Sequence, residues 1–157
     1  MRLIWNVLAL LVIAEGSTMA AKAGQPVPFS SVSIPRLWAV GDSAHYIVAT
    51  SRNWTRYYSS PPKDSDFDSS AYVIASMGTR PNPGYRIRIA RIEQDGERVE
   101  VTVEQLHPEP GGIYPQVLVN PIAVAQIRRR DLQPHPLLAF SFVDQDGRTL
   151  AETKVEL

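Results

Sequence analysis

The stretch that decides the fold is YRIRIARIEQDGERVEVTVE, residues 85–104. Apolar residues alternate with polar or small ones from Tyr85 to Ile89, which is the two-residue period of a strand with one buried face. The alternation slips by one residue near Arg91, which indicates a β-bulge. It resumes from Val99 to Val103. The stretch therefore predicts two neighbouring strands that bury the same face.

Asp95-Gly96 lies between these strands and supplies residues that tolerate the positive φ angles of a tight hairpin turn. A two-residue turn at this position, combined with one bulged residue, keeps the apolar side chains on one face. The cross-strand pairs predicted from this turn are Ile92 with Val99, Ile89 with Val101, Ile87 with Val103 and Arg86 with Glu104.

The remaining segments also favour β-structure. Strands are predicted at 45–50, 71–77 and 116–127, and the last of these should contain a bulge or lie at a sheet edge because of Pro121. Asp146-Gly147 separates segments 138–143 and 149–155, which predicts a final hairpin. One short α-helix is expected at 51–58, capped by Ser51. It would carry Trp54, Tyr57 and Tyr58 on one face.

The fold class expected is mostly β, as a small β-sandwich or a partly open barrel with one short α-helix. The sequence predicts three regions. Residues 1–23 combine the positive charge of Arg2, an apolar run and the small-residue pattern Ala21-Lys22-Ala23, which is typical of a cleavable signal peptide. Residues 24–44 are interpreted as an N-terminal linker or edge segment, and residues 45–157 as the β domain. We therefore expect export, to the periplasm or the medium.

Charge and cysteine content exclude several classes of function. The 16 Lys and Arg residues balance 16 Asp and Glu residues, and removal of residues 1–23 leaves 14 against 15. Such a chain has no electrostatic attraction for nucleic acid, and no stable membrane insertion is expected after signal cleavage. The run Arg128-Arg129-Arg130, followed by Asp131, is interpreted as a solvated strand end. The absence of cysteine excludes disulfides, thiolate metal sites and a lipidated cysteine.

No motif in the sequence indicates catalysis. The three histidines are His45, His107 and His135, and none lies in a recognisable nucleophile or metal-ligand pattern. The residues Asp64, Asp66 and Asp68 alternate as in calcium loops, but Ser69 and Ala75 stand where an EF-hand has its glycine and closing glutamate. We therefore expect no catalytic residues, no cofactor and no metal.

A block around Gly78 resembles a known family. Its pattern is Gly-x-x-Pro-x-x-Gly-Tyr-x-Ile, and the other segments that carry the resemblance are 66–68, 107–112 and 120–122, with Trp54. Over roughly residues 46–128 the chain resembles the C-terminal domain of PrcB, a protease complex subunit. The resemblance implies an exported accessory domain with a protein partner. The block itself is matched by Gly78, Pro81, Gly84, Tyr85 and Ile87.

Three functions are open at this point. The first is an exported, non-enzymatic protein-binding domain that serves as an accessory or stabilising factor for a secreted or envelope protease. The second is a protease inhibitor acting through the loop 78–85, which two prolines make stiff. The third is a hydrolase whose histidines meet an acid in space. The candidate binding residues are Arg80, Pro81, Asn82, Pro83, Gly84 and Tyr85.

Overall fold

A computed structural model describes residues 24–33, 42–57 and 65–157. The predicted signal segment 1–23 lies outside the described residues, as do Tyr58 and Asp64. In chain order the strands are β1 (Gln25–Pro26), β2 (Ser30–Ser31), β3 (His45–Ala49), β4 (Ser70–Ser76), β5 (Arg86–Asp95), β6 (Arg98–Leu106), β7 (Ile122–Arg128), β8 (Leu138–Asp144) and β9 (Thr149–Val155).

These strands form two sheets, with the order β1-β5-β6-β8-β9 in one and β2-β7-β4-β3 in the other. Every pairing among the described strands is antiparallel except that of β6 with β8, which is parallel. The two sheets do not close into a barrel. The expected mostly β fold is confirmed, and it has the form of a β-sandwich.

The core lies between the two sheets because each contributes an alternating apolar face. Val73 and Ala75 of β4 meet a cluster that contains Val101 of β6 and both Phe140 and Phe142 of β8. Strand β4 is buried over its whole length. Its other face is covered by a second cluster, which contains Ala49, Trp54, Tyr72, Ile74 and Val124, with Phe67 packed against it.

The predicted α-helix at 51–58 is wrong in type and length, because the structure has a single 3-10 turn at Trp54–Arg56. The cause is the Asn53 side chain. Its Oδ1 accepts a hydrogen bond from the Thr50 backbone N–H at 2.7 Å, and its Nδ2 donates one to the Val48 carbonyl at 2.8 Å. These bonds hold the chain against the end of β3, so no longer helix forms. Trp54 is nevertheless buried, and Tyr57 packs on the same cluster.

The predicted bulge is confirmed between Ile89 and Arg91, but the predicted hairpin register is wrong by two residues. The turn residues are Gly96 and Glu97, with Gly96 at φ 61°. Because side chains alternate with a period of two, this shift leaves every residue on its expected face. The observed pairs are Ile92 with Val101, Ile89 with Val103, Ile87 with Gln105, Arg88 with Glu104 and Arg86 with Leu106.

The predicted strand 116–127 is wrong in its first half. Strand β7 begins at Ile122, directly after Pro121, so the proline precedes the strand and causes no bulge. Nor is β7 an edge, since it pairs with β4 along its full length and with β2 for two residues. Of residues 116–121, Val119 alone forms a β-bridge, and its partner is Arg80.

The predicted final hairpin is confirmed as β8 and β9. The short strands β1 and β2 lie within the segment 24–44 and pair with one sheet each. Within residues 24–33, 42–57 and 65–157, no helix has the length and apolar character needed to cross a membrane.

Strands β5 and β6 run between the two ends of the sandwich. Segments 77–85 and 107–121 adjoin the start of β5 and the end of β6, and we name this the loop end. The Gly96-Glu97 turn and segment 129–137 lie at the other end, which we name the turn end, because Gln94 bonds to Gln133 there. The 10 residues of β5 place the two ends roughly 30 Å apart.

Candidate functional site

The loop end begins at Gly78, whose backbone has φ +70°. A Cβ at this position would lie 2.3 Å from the carbonyl oxygen of Asp42, so the close approach requires glycine. The next residue continues the contact. The Thr79 backbone N–H donates to the Asp42 carbonyl at 3.1 Å, and its hydroxyl donates to Asp42 Oδ1 at 2.7 Å. The start of the loop is therefore fixed to the segment before β3.

Backbone hydrogen bonds join the two segments of the loop end. Arg80 and Val119 exchange both bonds, at 2.8 and 2.9 Å, and the Met77 N–H donates to the Pro121 carbonyl at 3.1 Å. Residues 77–80 therefore lie beside the end of segment 107–121. The two segments are therefore joined at this point into one surface.

The tip of the first segment is a turn between two exposed prolines, Pro81 and Pro83. Asn82 stabilises this turn, because its Oδ1 accepts a hydrogen bond from the Gly84 N–H at 3.0 Å. Gly84 itself is buried, and a Cβ there would lie 2.8 Å from the Tyr114 ring and 3.0 Å from Pro108. The glycine thus lets the turn pack closely against the second segment.

Tyr85 connects the turn to the sheet. Its ring meets His107 edge to face, with centroids 5.6 Å apart, and the Arg80 guanidinium carbon lies 5.8 Å from its centroid. Of the residues expected to bind, Pro81 and Pro83 are exposed and Asn82 is half-buried. Gly84 and Tyr85 anchor the turn from beneath, and Arg80 joins it to the second segment.

The second segment carries exposed aliphatic side chains that the sequence analysis missed. Ile113 is 100% exposed, Leu118 74% and Val117 57%. We name these three residues the apolar tip. Because residues 116–118 were expected in a strand, their exposure was not foreseen. A signal was nevertheless present, since the turn formers Gly112 and Pro115 flank these aliphatic residues.

Tyr114 holds the apolar tip in place. Its hydroxyl accepts a hydrogen bond from the Glu109 N–H at 3.1 Å, and its ring lies close against both Gly84 and Gly112. The loop is thus anchored on one side by an aromatic ring while Ile113 faces solvent. Exposed aliphatic residues gathered in one short segment are typical of a surface that another molecule covers.

The histidines do not share one site. His107 contacts Tyr85 at the loop end, and His45 opens β3 near the same end, whereas His135 lies in segment 129–137 at the turn end. Among the described residues, no group of three or more His, Cys, Asp or Glu side chains is placed to hold a metal.

Asp66, one of the alternating aspartates, caps a turn. Hydrogen bonds from the Ser69 hydroxyl and backbone N–H lower the pKa of its carboxyl group.

Tyr46 packs beneath the loop end, with its ring 5.5 Å from that of Phe142. Burial raises the pKa of its phenol above 10.0, against the lowering effects of the Gln105 hydrogen bond and the Arg80 charge. The Gln105 amide donates to the Tyr46 hydroxyl at 2.8 Å. This site therefore favours the neutral phenol.

The raised pKa of Tyr46 predicts a loss of stability in alkali. Above pH 10 the unfolded chain ionises at this residue while the folded chain resists, so its contribution to folding is complete below pH 10 and declines above it. The Tyr46→Phe variant should show a shallower decline in the free energy of unfolding, measured by urea denaturation between neutral pH and alkali. Tyr72, whose pKa burial also raises, supplies part of the remaining slope. Identical slopes in both proteins would contradict this assignment.

Residues 71–128 match the PrcB C-terminal family. The match runs from β4 to the end of β7 and so includes both segments of the loop end. The resemblance to PrcB is confirmed for this part of the chain. No curated protein and no solved structure matches the sequence.

Proposed function

We propose that this chain is an exported, non-enzymatic protein-binding domain that serves as an accessory or stabilising factor of a secreted or envelope protease. The PrcB C-terminal match supports a role related to protease complexes. The apolar tip supports binding to a protein. Export is supported by the signal-like composition of residues 1–23.

The observation that carries the proposal is the apolar tip held on a braced pair of loops. Burial of one aliphatic side chain contributes about 1.5–3 kcal/mol, so covering three of them supplies a substantial driving force for association. The Arg80–Val119 bonds and the packing of Tyr114 fix the loops before binding. Little conformational entropy is then lost when a partner covers the tip.

The shape of the loop end favours a protein partner over a small ligand. Small molecules bind in concave sites that bury most of their surface. The apolar tip instead projects, with Ile113 fully exposed. A projecting aliphatic loop fits a hydrophobic groove, which another folded protein supplies. The partner we propose therefore has an apolar groove.

A capture experiment with a matched control tests this proposal. The full-length chain, a variant carrying Ile113→Ser, Val117→Ser and Leu118→Ser, and a Leu137→Ser control are used to capture proteins from the envelope and medium of the producing cells. Leu137 is also an exposed aliphatic residue, at 41%, but lies at the turn end. A protease should be recovered with the wild type and the control, and its apparent affinity should fall at least about tenfold with the triple variant.

The proposal fails if no protease is recovered, or if the triple variant recovers it as well as the wild type does. The activity of the recovered complex then distinguishes an accessory domain from an inhibitor. The inhibitor alternative is favoured by the two exposed prolines on the braced turn at 81–83. An accessory domain leaves the protease active, whereas an inhibitor suppresses it, and a Tyr85→Ala variant with a loosened turn should relieve the suppression.

A further inference from the structure

The arginine run at the end of β7 does not lie on a uniformly solvated strand end. A 3-10 turn at Arg129–Asp131 follows β7 directly. Arg128 is paired with Asp131, with Nε 2.8 Å from Oδ2. Arg130 lies 4.0 Å from the same carboxylate and is 74% exposed, so this contact is weak. One carboxylate therefore serves mainly Arg128, and two positive charges remain beside it.

Arg129 and Arg130 border a cleft of about 590 Å³ at the turn end. Its floor is aliphatic, because Leu132 and Leu138 belong to the hydrophobic core, at 8% and 2% exposed. The accessible apolar lining is supplied by Pro134, Pro136 and the half-buried Leu157. Among the described residues that line the cleft, none has an acidic side chain. These residues are Arg129, Arg130, Leu132, Gln133, Pro134, His135, Pro136, Leu138 and Leu157.

The guanidinium of Arg129 retains capacity to donate hydrogen bonds. Its Nη2 donates to the Phe67 carbonyl at 3.1 Å, which fixes the side chain in place. Its Nε is buried, and in the described part of the chain it has no hydrogen-bond partner. A buried donor without a partner is costly, and an anionic acceptor would satisfy it. The positive charge and the unpartnered donor therefore both favour an anion beside this arginine.

We infer that this cleft binds a carboxylate carried on an aliphatic body. The carboxylate lies between Arg129 and Arg130, and the aliphatic part packs against Pro134, Pro136 and Leu157. The net positive charge is too small for a polyanion such as nucleic acid, and the apolar floor gives an inorganic ion nothing to contact. A fatty acid and the C-terminal residue of a peptide share this chemistry. The cleft lies at the opposite end of the sandwich from the apolar tip, so this inference does not depend on the proposed function.

Titration with small probes tests the two halves of the site separately. Octanoate carries both the charge and the chain, octanamide lacks the charge, and acetate lacks the chain. Octanoate should bind saturably, with backbone amide shifts at Leu132, His135 and Leu138 in nuclear magnetic resonance spectra. Octanamide and acetate should bind at least about tenfold more weakly. Added salt should weaken the binding of octanoate and leave that of octanamide unchanged.

A second set of probes separates the two sources of the carboxylate. Acetyl-leucyl-leucine with a free carboxylate is compared with its terminal amide. Tighter binding of the free-acid peptide than of octanoate assigns the cleft to peptide C-termini, and the reverse order assigns it to fatty acids. Equal binding of each acid and its amide would show that the arginines recognise no carboxylate, and the inference would then be wrong.

Variants of the arginines complete the test. Arg130→Gln should weaken octanoate binding about threefold, as expected for an exposed ion pair, and Arg129→Gln with Arg130→Gln at least about tenfold. Arg148→Gln is the control, because Arg148 is an exposed arginine in the turn between β8 and β9. Since loss of Arg129 could also loosen the loop at Phe67, the single Arg130→Gln variant with an unchanged melting temperature remains diagnostic. Wild-type affinity in both variants, or no saturable binding of octanoate or the free-acid peptide to the wild type, would overturn the inference.

Discussion

Replacing Gly78 with alanine should lower the free energy of unfolding by about 3 kcal/mol or more, through left-handed backbone strain and steric crowding. The backbone at this position has φ +70°, and the new Cβ would lie 2.3 Å from the Asp42 carbonyl oxygen. That oxygen belongs to the backbone and accepts the Thr79 N–H, so it cannot move away without loss of the bond. Urea denaturation of both proteins measures the difference.

Gly111→Ala is the matched control for this variant. Gly111 has a similar backbone, at φ +79°, but an added Cβ there meets no atom within 4 Å. Its replacement should therefore lower the free energy of unfolding only by the cost of a left-handed backbone for alanine, about 1 kcal/mol. If the two variants lose the same stability, the contact between Gly78 and Asp42 does not hold the loop end as described. If Gly78→Ala does not fold, its Gly111→Ala counterpart should still fold.

Replacing Gln94 with leucine should lower the free energy of unfolding by about 3 kcal/mol, because three partly buried backbone groups lose their partners. Gln94 is 1% exposed, and its amide makes three hydrogen bonds. The Oε1 atom accepts a hydrogen bond from the Gln133 N–H at 2.7 Å. The Nε2 atom donates to the Gly96 carbonyl at 2.8 Å and to the Gln133 carbonyl at 3.0 Å. Leucine has a similar volume but satisfies none of these groups.

The control for Gln94 is Gln105→Leu. Gln105 is also in the β5–β6 hairpin, but its side chain is only half-buried. Its amide donates to the Tyr46 hydroxyl, and in the variant a water molecule can take the place of that amide. The expected loss is about 1 kcal/mol. Hydrogen exchange gives a second measurement, since the Gln133 amide should lose protection in Gln94→Leu and keep it in Gln105→Leu. Unchanged protection in both variants would show that Gln94 does not fasten the turn end.

Gln94 also explains why the face of the hairpin could be predicted while its register could not. The period of two in residues 85–104 fixes which side chains face inward, whatever the turn. The turn at Asp95-Gly96 was inferred from local chemistry alone. The structure places it at Gly96-Glu97, where the Gln94 side chain reaches both Gly96 and Gln133. That contact joins residues far apart in the chain, and no local pattern reveals it.

The candidate site was likewise predictable only where local backbone preferences decide the structure. Pro81, Pro83 and Gly84 indicate a stiff turn from their own backbone preferences, and the structure has one there. The apolar tip was missed because Val117 and Leu118 satisfy a strand pattern locally. Such residues enter a sheet only if a neighbouring strand is there to pair with them. Strand β4, which pairs with β7, has already ended at Ser76. The bond partner of Val119 is instead Arg80, in a loop.

The parallel pairing of β6 with β8 has a consequence for how the chain folds. Arg98 pairs with Ala139, and the chain between them first crosses to the other sheet to form β7. Contacts between residues so distant in sequence form slowly, because a long loop must close before the pairing stabilises it. During that interval the valine-rich β6 presents an open edge on which another chain could add. The stage before β8 docks is therefore the one at which this protein is most vulnerable to aggregation.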